Sequence, residues 1–292
     1  MASEPPPPAT PPAAPPPPPP LERLSLVSLL AAVCALIPVP WLDDLAERVV
    51  RRRAVGDLLR ERGVDPTPGD VEVLAGLERP RRGCVDWLLW PLTGVALYVA
   101  KKLFRKVFFV LALGDAVRAA SELFHDTYLL AHALGRGWLS PGTTGRIDRD
   151  EARWVRWAIE STVAETDPAP VRGAVRRALS GSGRLLGEEA VRLGGWMATE
   201  RRQAGAGRGG GDGEVEERAA EDLPVAGEAA RLSGLAGRLA AALGVEEVYR
   251  RRLEERLEAH LETARAARRQ AAAAAAGESA AAPPDGTAPA GG

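Results

Sequence analysis

The chain has 292 residues, 38 basic and 39 acidic side chains and a formal net charge of −1, so no overall field draws it to nucleic acid. Its two cysteines, Cys34 and Cys84, each lie in an apolar run with no CxxC or Cys/His spacing. That excludes the usual zinc sites and suggests buried free thiols in a reducing compartment. Arginine outnumbers lysine 35 to three, which with the Ala/Gly/Pro-rich composition suggests a GC-rich bacterial source.

Charge is unevenly placed. Residues 45–106 hold 13 basic against 8 acidic groups, and residues 203–230 hold 2 against 7. The acidic stretch either shields the basic region or stays solvated.

Residues 1–21 begin with a tract containing twelve prolines. Proline fixes φ and removes the backbone donor, so the tract is expected to be an extended polyproline II arm, either a spacer or a ligand for a proline-binding groove. No basic segment precedes the next apolar run, so a signal peptide is not expected.

Leu24 to Leu42 is uncharged for 19 residues, but Pro38 and Pro40 stop a helix near Ile37. About fourteen helical residues reach only about 21 Å, short of a hydrocarbon core of about 30 Å. The run therefore reads as a buried helix, a re-entrant element or a poor span rather than a full one. A helix capped by Asp43 or Asp44 follows and ends at Gly63. It carries Arg51, Arg52 and Arg53, which would face the cytoplasm beside a membrane-inserted run. Residues 64–83 read as a loop with one short helix near Asp70–Leu77, Asp70 being its candidate cap.

Residues 84–113 pair two apolar runs with the hexamer Lys101-Lys-Leu-Phe-Arg-Lys106, which holds every lysine of the chain. On a helix, Lys101, Lys102, Arg105 and Lys106 fall within about 140°, with apolar side chains over most of the rest. This pattern suits an anionic membrane surface. The competing reading is a buried helix of a soluble bundle. A long helix then runs to about Leu134. Asp148 starts another that stops at Asp167-Pro168, and helices over 169–179 and 183–202 follow. Glycines 181, 183, 187, 194 and 195 permit close helix approach.

Residues 203–227 read as a flexible Gly-rich and acidic linker, 228–270 as a tethered helical segment suited to a protein partner, and 271–292 as a disordered tail. Within 228–270, leucines recur from Leu232 to Leu243, and a charged helix with Leu253, Leu257 and Leu261 follows Gly244.

Phosphate-loop, HExxH and GxSxG patterns are absent, so no enzymatic activity and no cofactor are expected. Glu122, His125 and His132 are the remaining candidate metal ligands. Glu122-x-x-His125 has the spacing of helical di-iron proteins, but the second motif such sites need is missing.

One resemblance rests on Ile37-Pro-Val-Pro-Trp-Leu-Asp43, an arginine-bearing helix ending Arg62-Gly-Val-Asp65, Ala119-Ala-Ser-Glu-Leu123 and Arg192-Leu-Gly194. Together these segments are similar to the C-terminal domain of bacterial inner-membrane proteins of the YcjF type. The resemblance covers about residues 24–200, lacks a second clear span, and implies membrane association without catalysis. The predicted protein is all-α: an irregular multi-helix domain over 22–202, a tethered C-terminal helix and disordered termini. Its expected function is a non-enzymatic scaffold or regulator at the cytoplasmic side of the inner membrane, binding anionic lipids and an unknown protein partner. A soluble cytoplasmic helical adaptor is the alternative, and a helical metalloenzyme a second one.

Overall fold

The computed structural model describes residues 21–37, 39–78, 105–139, 146–206, 212–223 and 225–281. Their regular structure is entirely α-helical. The ten helices among them are α1 Leu21–Cys34, α2 Pro40–Glu61, α3 Pro68–Leu74, α4 Arg105–Gly135, α5 Arg149–Glu165, α6 Ala169–Leu179, α7 Gly183–Ala206, α8 Asp212–Asp222, α9 Val225–Val245 and α10 Glu247–Ala281.

The fold is built round α1. After Glu22 and Arg23 in its first turn, its sequence has apolar or small residues on every side, with no polar face to offer water. Leu24, Ser25 and the whole stretch from Ser28 to Cys34 are buried. The Ser28 hydroxyl satisfies itself by donating to the Leu24 carbonyl at 2.7 Å. Helices α2, α4, α7 and α9 pack against it. The part of the apolar run in α1 thus packs against other helices, as the buried-helix reading expects. Fourteen residues suit such a core helix. None of the described helices is long and apolar enough to cross a membrane.

Local signals place most of the helix ends. After α1, the amides of Leu36 and Ile37 bond back to Val33 and Cys34 in a tight turn, and Pro40 opens α2. Thr67, not Asp70, caps α3: its hydroxyl accepts from the Asp70 amide while Asp70 reaches back to the Thr67 amide, a full capping box. Asp148 caps α5 through the Asp150 amide at 2.8 Å. Gly76 ends α3 at φ 70, and the Arg156 guanidinium lies where its side chain would be.

Amphipathic helices extend the core outward from α4 and α9. Helix α5 buries Ala152, Val155, Ile159 and Thr162, and α6 buries Val171, Ala174, Val175 and Ala178, both at helical spacing. Gly194 of α7 lets that helix approach the α1–α2 turn; a Cβ there would lie 3.2 Å from Ile37. Gly187 and Gly195 meet open space instead.

The C-terminal third differs from the tethered arrangement expected. Leu232, Leu235, Leu239 and Leu243 of α9 are buried against α1 and α6. Leu253, Leu257 and Leu261 of α10 are buried against α4 and α5. These leucines belong to one hydrophobic core with α1: α9 covers α1 itself, and α10 covers α4 and α5. Part of the expected acidic linker is helix α8, with Glu216 and Ala219 buried, as is Leu223 just beyond it. The prolines of residues 1–20, the tail beyond Ala281 and the 84–104 stretch lie outside the described residues.

Candidate functional site

Two surfaces bring together the residues with the most chemistry: the arginine face of α2 and the seam between α10 and the bundle. On α2, Arg48, Arg51 and Arg52 share one side at i, i+3 and i+4. Arg51 contacts Asp126 at 2.6 Å, Glu47 at 3.0 Å and Glu122 at 3.9 Å. Burial works against its charge, but the Asp126 and Glu47 carboxylates outweigh that and hold its pKa above the ordinary value. Arg156 of α5 joins the same Asp126 at 3.3 Å.

Arg52 lies 3.2 Å from Glu216 and 3.5 Å from Glu72. The Glu216 side chain is only 3% exposed and also lies 3.2 Å from Arg48. Arg53 pairs with Asp57 at 3.0 Å and donates to the carbonyls of Ala220 and Glu221, the electronegative end of α8. The three arginines expected to meet headgroups therefore hold α8 and α4 in place, and lipid contact would have to compete with these pairs. Of the other predicted contact residues, Lys101 and Lys102 lie outside the described residues. Arg105 and Lys106 begin α4, and their side chains lie outside the described set.

The candidate metal ligands are not brought together. His125 is 2% exposed; its Nδ1 is 2.6 Å from the Ser121 carbonyl and its Nε2 is 2.8 Å from the Tyr249 hydroxyl. The carbonyl only accepts, so Nδ1 carries the proton and Nε2 accepts from Tyr249. Burial lowers the His125 pKa. Glu122 is exposed and turns toward Arg51. His132 bonds Glu258 at 3.0 Å. Among the described residues no three His, Cys, Asp or Glu side chains are grouped to hold a metal ion.

All three histidines instead line the docking seam of α10, which the sequence reading missed. His125 meets Tyr249, His132 meets Glu258, and His260 meets Glu165 at 3.2 Å. Tyr128 donates to Glu254, Arg136 contacts Glu258 at 2.7 Å, and Arg268 contacts Asp148 at 3.1 Å. Burial and the Glu254 carboxylate push the Tyr128 pKa up. Burial raises that of Tyr249 to about 12. For Glu258, burial acts upward, but hydrogen bonds from His132 and Arg136 prevail and hold its pKa below the ordinary value.

Beside this seam runs an aromatic strip. Trp154 and Trp157 of α5 are 39% and 43% exposed and meet edge to face at 6.1 Å between ring centroids. Trp157 also meets His260 edge to face at 5.8 Å. Across a shallow groove, Trp138 lies under the Arg265 guanidinium at 4.4 Å, with Glu151, Leu261 and Arg268 on the rim. A sequence signal for the strip existed. The core positions 152, 155, 159 and 162 put Trp154 and Trp157 on the opposite face of α5. No protein-family model, curated protein or solved structure matches the chain.

Proposed function

We propose that this chain is a non-enzymatic helical scaffold that meets an anionic membrane surface through the segment Lys101–Leu111. The observation supporting this reading is the continuity of α4. The helix begins at Arg105 and runs unbroken to Gly135, and its side chains are anchored in the core from Ala116 onward. The second half of the basic, apolar segment thus has the helical geometry that an amphipathic surface helix needs. It is also coupled to the bundle through one rod. With the Leu24–Leu42 run largely committed to the core, this segment is the remaining long apolar stretch with a cationic cluster.

The test is flotation of the full-length chain with vesicles of phosphatidylglycerol and phosphatidylcholine, against phosphatidylcholine alone. Binding should require the anionic lipid and weaken with salt. Each basic side chain contributes about 1 kcal/mol near such a surface. Replacing Lys101, Lys102, Arg105 and Lys106 together by glutamine should therefore lower the partition coefficient about a thousandfold at low salt. Equal flotation with both vesicle types, or none with either, overturns the reading.

A second reading, a soluble helical adaptor, is favoured by the internal pairing of Arg51, Arg52 and Arg53. It predicts no flotation and a protein partner bound without lipid.

A further inference from the structure

We infer that the aromatic strip of Trp138, Trp154 and Trp157 is a polyproline-binding groove, and that its occupant is the chain's own proline-rich arm, residues 5–20. The assignment does not depend on the membrane reading. It joins two features that nothing else in the fold accounts for.

The first feature is the strip itself. Among the described residues, the large apolar side chains left exposed are three valines and this tryptophan pair. Packed edge to face, Trp154 and Trp157 still keep 39% and 43% of their surface exposed, and Trp138, under the Arg265 guanidinium, stands across the groove from Trp154. Aromatic-lined grooves take polyproline II ligands because proline rings stack on indole faces and little chain entropy is lost on binding.

The hydrogen-bonding chemistry also matches. An oligoproline run carries carbonyl acceptors and no backbone donors. The groove is lined by the guanidinium groups of Arg265, over the Trp138 ring, and Arg268, which also pairs with Asp148 and Glu151; a guanidinium only donates.

The second feature is where the arm begins. It joins the bundle at Leu21, the first residue of α1. Two residues in, Arg23 pairs with Asp57 and Glu61 at the C-terminal end of α2. The next residue, Arg62, lays its guanidinium against Gly135 at the end of α4. Trp138 follows three residues later, its amide bonded back to the Ala133 carbonyl. The arm and the groove therefore start at the same end of the molecule, separated by two arginine side chains and one turn. A polyproline II helix rises about 3.1 Å per residue, so twenty residues extend about 60 Å, enough to reach the strip and lie along it.

The test compares the full-length chain with a full-length variant in which the twelve prolines of the arm are all replaced by serine. Hydroxyl-radical labelling, read by mass spectrometry at each tryptophan, measures ring exposure. Loss of the prolines should raise labelling of Trp154 and Trp157 to the level of rings 39% and 43% exposed. Trp196, on α7, should be unchanged. A synthetic peptide of residues 2–20 added to the serine variant should restore protection at Trp154 and Trp157.

Equal labelling in both chains overturns the proposal and means that the strip is bare or covered by something else, such as the 140–145 segment or lipid. Protection that disappears on dilution of the wild-type chain overturns the claim for the chain's own arm and assigns the groove to the arm of a second copy.

Discussion

Removing one hydroxyl, by Tyr249→Phe, tests whether α10 belongs to the core. The Tyr249 hydroxyl donates to His125 Nε2 at 2.8 Å, in a site where the histidine is 2% exposed. Nδ1 is already engaged with the Ser121 carbonyl, so the variant leaves Nε2 as a buried acceptor without its donor. Such a loss costs about 1–3 kcal/mol. We expect about 2 kcal/mol, because Tyr249 keeps its ring contact with His125. For a folded region of this size that is a fall in Tm of about 4–8 °C. Urea unfolding followed by circular dichroism measures the free energy directly.

The companion His125→Leu removes the orphaned acceptor, so the double variant should lose less than the sum of the single losses by about 1 kcal/mol. The Tyr249 pKa, raised from 10.0 to about 12, adds an alkaline signature. A folded pKa above the unfolded one contributes stability that is present below about pH 10 and lost as pH rises toward 12. Tyr249→Phe should remove that part of the alkaline decline. If Tyr249→Phe unfolds within about 0.3 kcal/mol of wild type and shows no coupling to His125, α10 is not docked as described and the reasoning fails.

Further outcomes follow from the same structure. His125 has a folded pKa below its ordinary 6.5, so its contribution is complete above about pH 6.5 and is lost as acidification forces a proton onto the buried ring. A urea titration from pH 7 to 5 should show this loss, and His125→Gln should flatten it. Two glycines of α7 should respond differently to alanine. Gly187→Ala meets open space and should stabilise by about 0.5–1 kcal/mol through helix propensity. Gly194→Ala places its Cβ 3.2 Å from Ile37 and should give little of that gain or none. Thermal melts of the two variants side by side decide this.

Reading the sequence succeeded at several helix ends, where the signal was local, and missed where a partner was needed. At α2 it put the cap at Asp43 or Asp44, whereas the helix opens at Pro40, with Val39 at the cap position and no side-chain cap bond. Asp148 marked the start of α5, and the breaks at Asp167-Pro168 and around Gly181 bounded the 169–179 helix. Such signals act through backbone geometry within a turn, so no distant residue alters them. For α3 the local reading was one step off. Asp70 was legible as a capping residue, but its role at N3 depended on Thr67 accepting its amide. Arg51, Arg52 and Arg53 were visible as a cationic cluster, yet their acidic partners Asp126 and Glu216 lie 75 and 164 positions away and are set by how α4 and α8 pack.

By itself, the sequence determined that this protein is built of helices and where most of them begin and end, because prolines, glycines and capping side chains act on their immediate neighbours. Only the tertiary structure decided that the Leu24–Cys34 run is the centre of a protein core and that the leucines of α9 cover it. Apolar surface removed from water gains about the same whether lipid or protein receives it. Hydropathy alone therefore does not say which, and the answer came from the complementary faces of α4 and α9.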